Sequence, residues 1–203
     1  EFNKIENQSS SDWLKKEIQG LKDIENLEVK TRTSVAAYHG YNYLLARENL
    51  TDHLEKKDKQ GKIRQRLLKI RAKKVVLATG ALERPLIFNN NDRPGIMLSS
   101  AVKKYADFYG VICGQKTVFF TNNDSAYESA FCLHNKGIKV EAIIDIRDNS
   151  NSKIVKAVKE AGIKIYWSHT VVDTSGYKRL KNISVMKLSN DGMSVTGNRI
   201  EIS

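Results

Sequence analysis

Residues 75–102 read VVLATGALERPLIFNNNDRPGIMLSSAV, and this stretch decides the fold class. Its opening residues are apolar and run into three small ones, Ala78, Thr79 and Gly80. Glycine adopts backbone angles denied to other residues, and a threonine hydroxyl can bond a phosphate or a ribose. The pattern therefore predicts a strand whose carboxyl end faces a nucleotide, although a plain exit from strand to loop would use similar residues.

Both prolines of the chain, Pro85 and Pro94, lie in this stretch, each directly after an arginine. Proline fixes its own φ and keeps the residue before it extended. We therefore expect this segment to be a stiff crossing between two domains.

The second half of the chain alternates strands and helices, and glycines end the helices. This alternation is typical of a parallel sheet with crossover helices. Farther on, Asn190-Asp191-Gly192 predicts the turn of an antiparallel hairpin. The predicted strands are 115–121, 139–145 and 163–167, the predicted helices are 125–136 and 152–161, and the hairpin strands are 183–188 and 194–202.

The first half is predicted to be the later part of a similar domain. It reaches the strand at 73–80 without the glycine-rich βαβ unit that opens a dinucleotide-binding domain. We therefore expect the chain to be a fragment of a longer polypeptide. Residues 11–98 would be the C-terminal part of a first dinucleotide-binding domain, and residues 99–203 a second Rossmann-like domain that is incomplete at its C-terminus. The other predicted elements of this half are a helix at 12–21 and strands at 27–30, 36–47 and 64–72.

Composition excludes several classes of protein. The formal net charge is +11, but the lysines are spread along the whole chain, and the densest basic stretch, residues 56–74, has no interleaved aromatic residues, so we predict no nucleic-acid partner. An acidic partner subunit or a phosphate-bearing cofactor would use the same charge. No apolar run is long enough to cross a bilayer, and no secretory signal is seen, so we expect a cytoplasmic protein with no membrane partner. The four histidines and two cysteines do not have metal-binding spacing, and we predict no metal site.

The proline-bearing stretch also carries a family resemblance. ATGA at 78–81, ERP at 83–85 and NDRPG at 91–95 resemble the two-dinucleotide-domain flavoprotein superfamily. The longer string is similar to the α subunits of heterotetrameric sarcosine oxidases, and the likeness is best over residues 27–145. The resemblance implies an α/β fold with parts of two Rossmann-like, FAD/NAD(P)-binding domains of the glutathione-reductase type and antiparallel β additions.

The resemblance also implies a function. Such an enzyme demethylates sarcosine oxidatively to glycine and H2O2 and passes the one-carbon unit to tetrahydrofolate. The whole complex contains the other sarcosine oxidase subunits with FAD and FMN, and the α subunit binds NAD. By resemblance Val35 contributes backbone contacts to NAD, and on geometric grounds Ala78, Thr79 and Gly80 join it. No catalytic residue is assigned, and we expect the fragment alone to be inactive and to bind no cofactor tightly.

The loop after the first strand of the second domain lacks the expected glycines. A dinucleotide loop reads G-x-G-x-x-G/A, whereas here those positions are Thr121, Asn123 and Ala126. Asp145 ends the next strand, where a ribose-binding acid would lie. Because side chains at the glycine positions obstruct a pyrophosphate, we predict that this domain holds no dinucleotide and is retained for packing.

Two alternatives remain open at this stage. The chain could be an α-type subunit of another flavoenzyme, such as an amino-acid or opine dehydrogenase or a cyanide-synthase-like enzyme. It could also be a non-catalytic scaffold domain whose dinucleotide site is vestigial.

Overall fold

The structure, a computed structural model, describes residues 4–203. The chain divides into two compact units, the first ending at Gly80 and the second spanning Ala81–Ser203. Residues 81–98, assigned above to the first domain, make their contacts within the second unit.

The first unit contains a small hairpin, a helix and a three-stranded sheet. Helix α1 begins where the Ser9 hydroxyl accepts a hydrogen bond from the Asp12 amide at 3.1 Å, which confirms the predicted helix. Strands β3, β4 and β5 form an antiparallel sheet in that order, and β5 confirms the predicted strand at 64–72. The elements are β1 (Lys4–Ile5), β2 (Gln8–Ser9), α1 (Ser10–Leu21), β3 (Thr33–His39), β4 (Tyr43–Asn49), α2 (Lys56–Lys59) and β5 (Gln65–Arg71).

Three strand predictions for this unit are wrong. Residues 27–30 and 73–80 form no strand, because no neighbouring strand of the unit pairs with them. The single strand predicted at 36–47 is a hairpin, because Tyr41 and Asn42 adopt left-handed φ values of 59° and 54° and reverse the chain. The Asn42 side chain fixes this turn by donating to the Lys73 carbonyl oxygen at 3.1 Å.

The second unit begins with a helix and continues as the predicted alternation of strands and helices. Strands β6, β7 and β8 are parallel neighbours in that order, which confirms the crossover pattern. Strands β9, β10 and β11 form an antiparallel sheet in which the predicted hairpin is confirmed and β9 is an addition. The elements are α3 (Ser99–Phe108), β6 (Lys116–Thr121), α4 (Ser125–Asn135), β7 (Lys139–Asp145), α5 (Lys153–Glu160), β8 (Ile165–Trp167), β9 (His169–Ser175), β10 (Asn182–Leu188) and β11 (Val195–Ile202).

The parallel sheet is the middle layer of the second unit. Successive side chains of a strand point to opposite faces, so Ile143 of β7 packs with helical residues such as Val155, and Ile144 packs with Val185 of the antiparallel sheet. All four of these residues are fully buried, and each buried side chain of this size contributes about 1.5–3 kcal/mol. The parallel sheet thus has a hydrophobic core on each face, one against the helices and one against the antiparallel sheet, and these two cores hold its carboxyl edge in place.

Helix α3 differs from expectation in its aromatic residues. Tyr105, Phe108 and Tyr109 follow Ser99-Ser100 at the spacing of one helix face, a pattern that predicts core packing, but their exposed fractions are 43%, 76% and 58%. Ala106 is the buried residue of this helix. The prediction is wrong because Ala106 and the partly buried Val102 form the core-facing side of α3.

Candidate functional site

The segment at residues 74–80 belongs to no helix or strand. Val76 and Leu77 expose 89% and 67% of their surface, and Ala78, Thr79 and Gly80 are also exposed. Gly80 has a φ of +72°, and a Cβ added there would meet nothing within 4 Å. The backbone angle therefore favours glycine at this position, and the absence of a Cβ leaves an open surface in front of the segment.

Val35 lies in β3, which is an edge strand of the three-stranded sheet. It pairs with Ala46 of β4, and the register shifts between Val35 and Ala37. An edge strand presents backbone N–H and C=O groups that its own sheet does not use. Val35 is 57% exposed as a whole residue.

The four predicted cofactor-binding residues thus share one unit and are all exposed. Within residues 4–203 no hydrogen bond joins Val35 to the segment at 78–80. The fold keeps these groups accessible without linking them to one another. Their chemistry, small side chains with free backbone groups and one hydroxyl, suits contact with a nucleotide and offers no acid or base for catalysis.

The glutamate of the ERP motif has a role that the sequence analysis missed. Residue Leu98 precedes helix α3 and has no side-chain acceptor for the helix amides. Glu83, sixteen residues upstream, accepts hydrogen bonds from the amides of Ser99 and Ser100 at 3.1 and 2.8 Å and from the Ser99 hydroxyl at 2.7 Å. Partial burial raises the pKa of Glu83, but the bonds from Ser100 and Ser99 outweigh it and leave the pKa below its usual value.

The arginine of the NDRPG motif is bonded to the end of strand β9. Arg93 donates to the Thr174 hydroxyl and carbonyl oxygens at 3.3 and 3.4 Å and to the carbonyl oxygen of Gly176. The next residue, Pro94, accepts a hydrogen bond from the Leu180 amide at 2.8 Å. The ERP and NDRPG motifs therefore hold residues 83–95 against the rest of the second unit. Proline stiffness alone was expected here, whereas the Arg93 side chain makes the hydrogen bonds.

Gly95, the residue after Pro94, allows the chain to pass close to Leu180. Its φ is +106°, and a Cβ built there would lie 3.2 Å from the Cβ of Leu180. Backbone angle and space both favour glycine at this position.

The carboxyl edge of the parallel sheet carries an ionic network built around the buried Asp145. Asp145 has no exposed surface and accepts hydrogen bonds from the Tyr127 hydroxyl and from the Arg147 guanidinium, each at 2.7 Å. Arg147 also donates to Asp124 at 2.8 Å. Burial raises the pKa of Asp124, but the bond from Arg147 outweighs it, so its pKa is lowered. Burial, followed by the bond to Asp145, raises the pKa of Tyr127.

The sequence singles out Asp145 as an acid at a strand end, but it does not reveal the ionic network or the partners of Asp145 in it. A usable signal existed, because Asp124 immediately precedes helix α4, where a glycine-rich loop would accommodate a phosphate, and Arg147 follows strand β7 by two residues. Opposite charges at two adjacent strand ends predict an ion pair rather than a ligand.

Other kinds of site do not appear in residues 4–203. Those residues contain no group of three His, Cys, Asp or Glu side chains able to hold a metal ion. Cys113 and Cys132 are both free thiols. No helix among the described elements has the length and apolar character to cross a membrane.

Comparison with curated proteins confirms the resemblance to sarcosine oxidase α subunits. The chain is 39% identical over 189 residues to sarcosine oxidase subunit alpha of Corynebacterium sp. strain P-1, which covers 92% of this chain and 19% of that protein. It is 30% identical over 194 residues to sarcosine oxidase subunit alpha of Rhizobium meliloti strain 1021, covering 93% of this chain and 20% of that protein. The chain thus spans about a fifth of the length of these relatives. No family model matches it.

Solved structures confirm the α/β fold class with partial Rossmann-like domains. An NAD-dependent persulfide reductase from A. fulgidus matches with a TM-score of 0.51 at 15% identity, covering 83% of this chain and 30% of that one. A bacillithiol disulfide reductase from Bacillus cereus matches with a TM-score of 0.51 at 13% identity, covering 98% of this chain and 56% of that one. At these identities the likeness shows the fold alone.

Proposed function

We propose that this chain is part of the α subunit of a heterotetrameric sarcosine oxidase. The observation that carries the proposal is the 39% identity to such a subunit over 92% of the chain. The complex would act in the cytoplasm, oxidise sarcosine to glycine with release of H2O2, and transfer the one-carbon unit to tetrahydrofolate. FAD, FMN and the other subunits would contribute the redox chemistry.

Within that complex, the first unit would contribute to NAD binding through Val35, Ala78, Thr79 and Gly80. Three features support this role: the left-handed φ of Gly80, the exposed hydroxyl of Thr79 and the edge position of β3. None of these groups is an acid or a base. In this proposal NAD is held there as a structural cofactor rather than used as a hydride carrier.

The exposed segment at 74–80 would be a strand of a sheet completed by other parts of the subunit. Val76 and Leu77 expose 89% and 67% of their surface, although their side chains are suited to a core. Full burial of each would contribute about 1.5–3 kcal/mol. Sheet formation would at the same time satisfy the backbone groups of this segment and fix Gly80 against the nucleotide.

Equilibrium dialysis of NAD against the full-length subunit tests the cofactor role. Gly80→Val places a branched side chain on the proposed contact surface and should weaken NAD binding at least tenfold. Gly192→Val is the matched control, because Gly192 has a similar φ of +69° and open space around it but lies in the β10–β11 turn. Equal NAD binding by wild type and Gly80→Val would refute the proposed contact.

Substrate-dependent H2O2 release by the assembled complex tests the activity. We expect release with sarcosine and capture of the one-carbon unit when tetrahydrofolate is present. Release with an opine or an unmethylated amino acid, and none with sarcosine, would replace this proposal with a different α-type flavoenzyme.

A further inference from the structure

The carboxyl edge of the parallel sheet in the second unit is the place where such a fold normally binds a nucleotide. In open α/β sheets, ligands lie outside the carboxyl ends of the strands, and an acid at the end of the second strand bonds the ribose. Asp145 ends β7, the second strand of this sheet. The chemistry of Asp145 therefore decides whether this edge is available to a ligand.

Both oxygens of Asp145 are already in use. Its Oδ2 atom accepts from the Tyr127 hydroxyl and from Nη2 of Arg147, each at 2.7 Å, and its Oδ1 atom accepts from the Arg147 amide at 3.0 Å. The residue has no exposed surface. A ribose hydroxyl could be bound only after these bonds break, which would leave a buried charge without its partner.

The phosphate position is occupied by a second, partly exposed carboxylate. Asp124 immediately precedes helix α4, and its carboxylate accepts from Nη2 of Arg147 at 2.8 Å and from the Ser150 hydroxyl at 3.2 Å. A helix N-terminus attracts a phosphate through its free amides. Here the Ser125 amide donates to the Asn123 side chain at 3.0 Å, and the Asp124 carboxylate would repel a pyrophosphate.

The network also joins three neighbouring elements. Tyr127 in α4 stacks against Trp167 at the end of β8, with 6.1 Å between the ring centroids and 19° between the planes. The Arg147 carbonyl oxygen accepts a hydrogen bond from the Ser168 amide at 2.8 Å. The ends of β7 and β8 and the start of α4 are thus held together by contacts within the second unit.

From this geometry we infer that Arg147, bridging Asp124 and Asp145 with Tyr127 behind it, is an intramolecular occupant of the nucleotide position of the second unit. The unit is then a closed structural module that binds neither NAD nor FAD. The inference goes beyond the proposed function because it concerns the second unit alone. It gives a chemical reason for the absent glycines after β6, since a side-chain network needs no close approach of backbone to pyrophosphate.

Hydrogen–deuterium exchange on the full-length protein, with and without saturating NAD or FAD, tests the inference directly. Peptides covering 121–128 and 145–150 should exchange at the same rate in every sample. Slower exchange in these peptides with either nucleotide would overturn the inference. Protection confined to residues 78–80 would support both this inference and the proposed function. No protection anywhere would leave this inference standing and count against the NAD role alone.

Tyr127→Phe tests whether the network holds this edge together. The variant removes one donor to Asp145 and should lower Tm by about 3–6 °C while leaving NAD affinity unchanged. The matched control is Tyr105→Phe, which removes the hydroxyl of an exposed tyrosine. A Tm for Tyr127→Phe equal to that of the control, or a loss of NAD affinity beyond that of the control, would overturn the inference.

Discussion

The replacement Glu83→Gln gives a quantitative test of the anchor at helix α3. Glu83 accepts three hydrogen bonds, two from amides and one from a hydroxyl, at 2.7–3.1 Å. Removal of a capping side chain costs about 0.5–2 kcal/mol, and glutamine keeps one neutral acceptor. We therefore expect the free energy of unfolding to fall by about 1 kcal/mol, which corresponds to a Tm decrease of about 2–4 °C.

The pH dependence of this difference adds a second constraint. The pKa of Glu83 is lowered in the folded protein from an ordinary value of 4.5, because the bonds from Ser100 and Ser99 outweigh burial. A group whose pKa is lowered on folding stabilises the protein above the unfolded pKa and loses that contribution as pH falls through the folded pKa. The gap in Tm between wild type and Glu83→Gln should therefore be full at neutral pH and shrink as pH falls below 4.5.

Thermal unfolding followed by circular dichroism over a pH series measures both quantities. The control is Glu128→Gln, which removes the same charge from the first turn of another helix, α4. If the two variants have the same Tm at neutral pH, or if the gap for Glu83→Gln stays constant through acid pH, the capping role of Glu83 is wrong.

Two further predictions concern the second unit. Gly95→Ala should lower Tm by several degrees more than Gly192→Ala. Both positions have a positive φ, but only the new Cβ at 95 would lie close to a neighbour, 3.2 Å from the Cβ of Leu180. Equal decreases in Tm for the two variants would contradict this packing. Labelling with a thiol-specific reagent near pH 8 should modify Cys113 faster than Cys132. Cys113 is exposed, whereas burial raises the pKa of the Cys132 thiol. Faster labelling of Cys132, read by peptide mass spectrometry, would contradict the stated difference in exposure and thiol pKa.

The parallel sheet was predictable from sequence because its signals are local. Lys139–Asp145 contains the β-branched residues Val140, Ile143 and Ile144, and Gly137 and Gly162 end helices with φ values of +81° and +75°. Strand β9 was missed because Ser168 separates it from β8 by one residue with a φ of +53°, which local patterns do not reveal. The strand predicted at 73–80 failed for a different reason, since pairing depends on a neighbouring strand and not on the apolar run itself.

The candidate site was predictable only in part, because several of its hydrogen-bonding residues are far apart in the sequence. The small residues at 78–80 and their glycine angle follow from a short motif. The anchoring contacts of Glu83 and Arg93 join residues 16 and 81 positions apart, and no local pattern specifies which partner each side chain finds. The bridge from Arg147 to Asp124, 23 positions away, was missed on the same grounds.

An experimental structure of the full-length subunit bound to NAD would locate the nucleotide. We expect it to lie against Thr79 and Gly80 with the backbone of Val35 beside its adenine, and the hydrogen bonds of Arg147 to Asp124 and Asp145 to be unchanged. A nucleotide bound at the carboxyl ends of β6 and β7, with those bonds broken and residues 78–80 away from any ligand, would contradict this expectation.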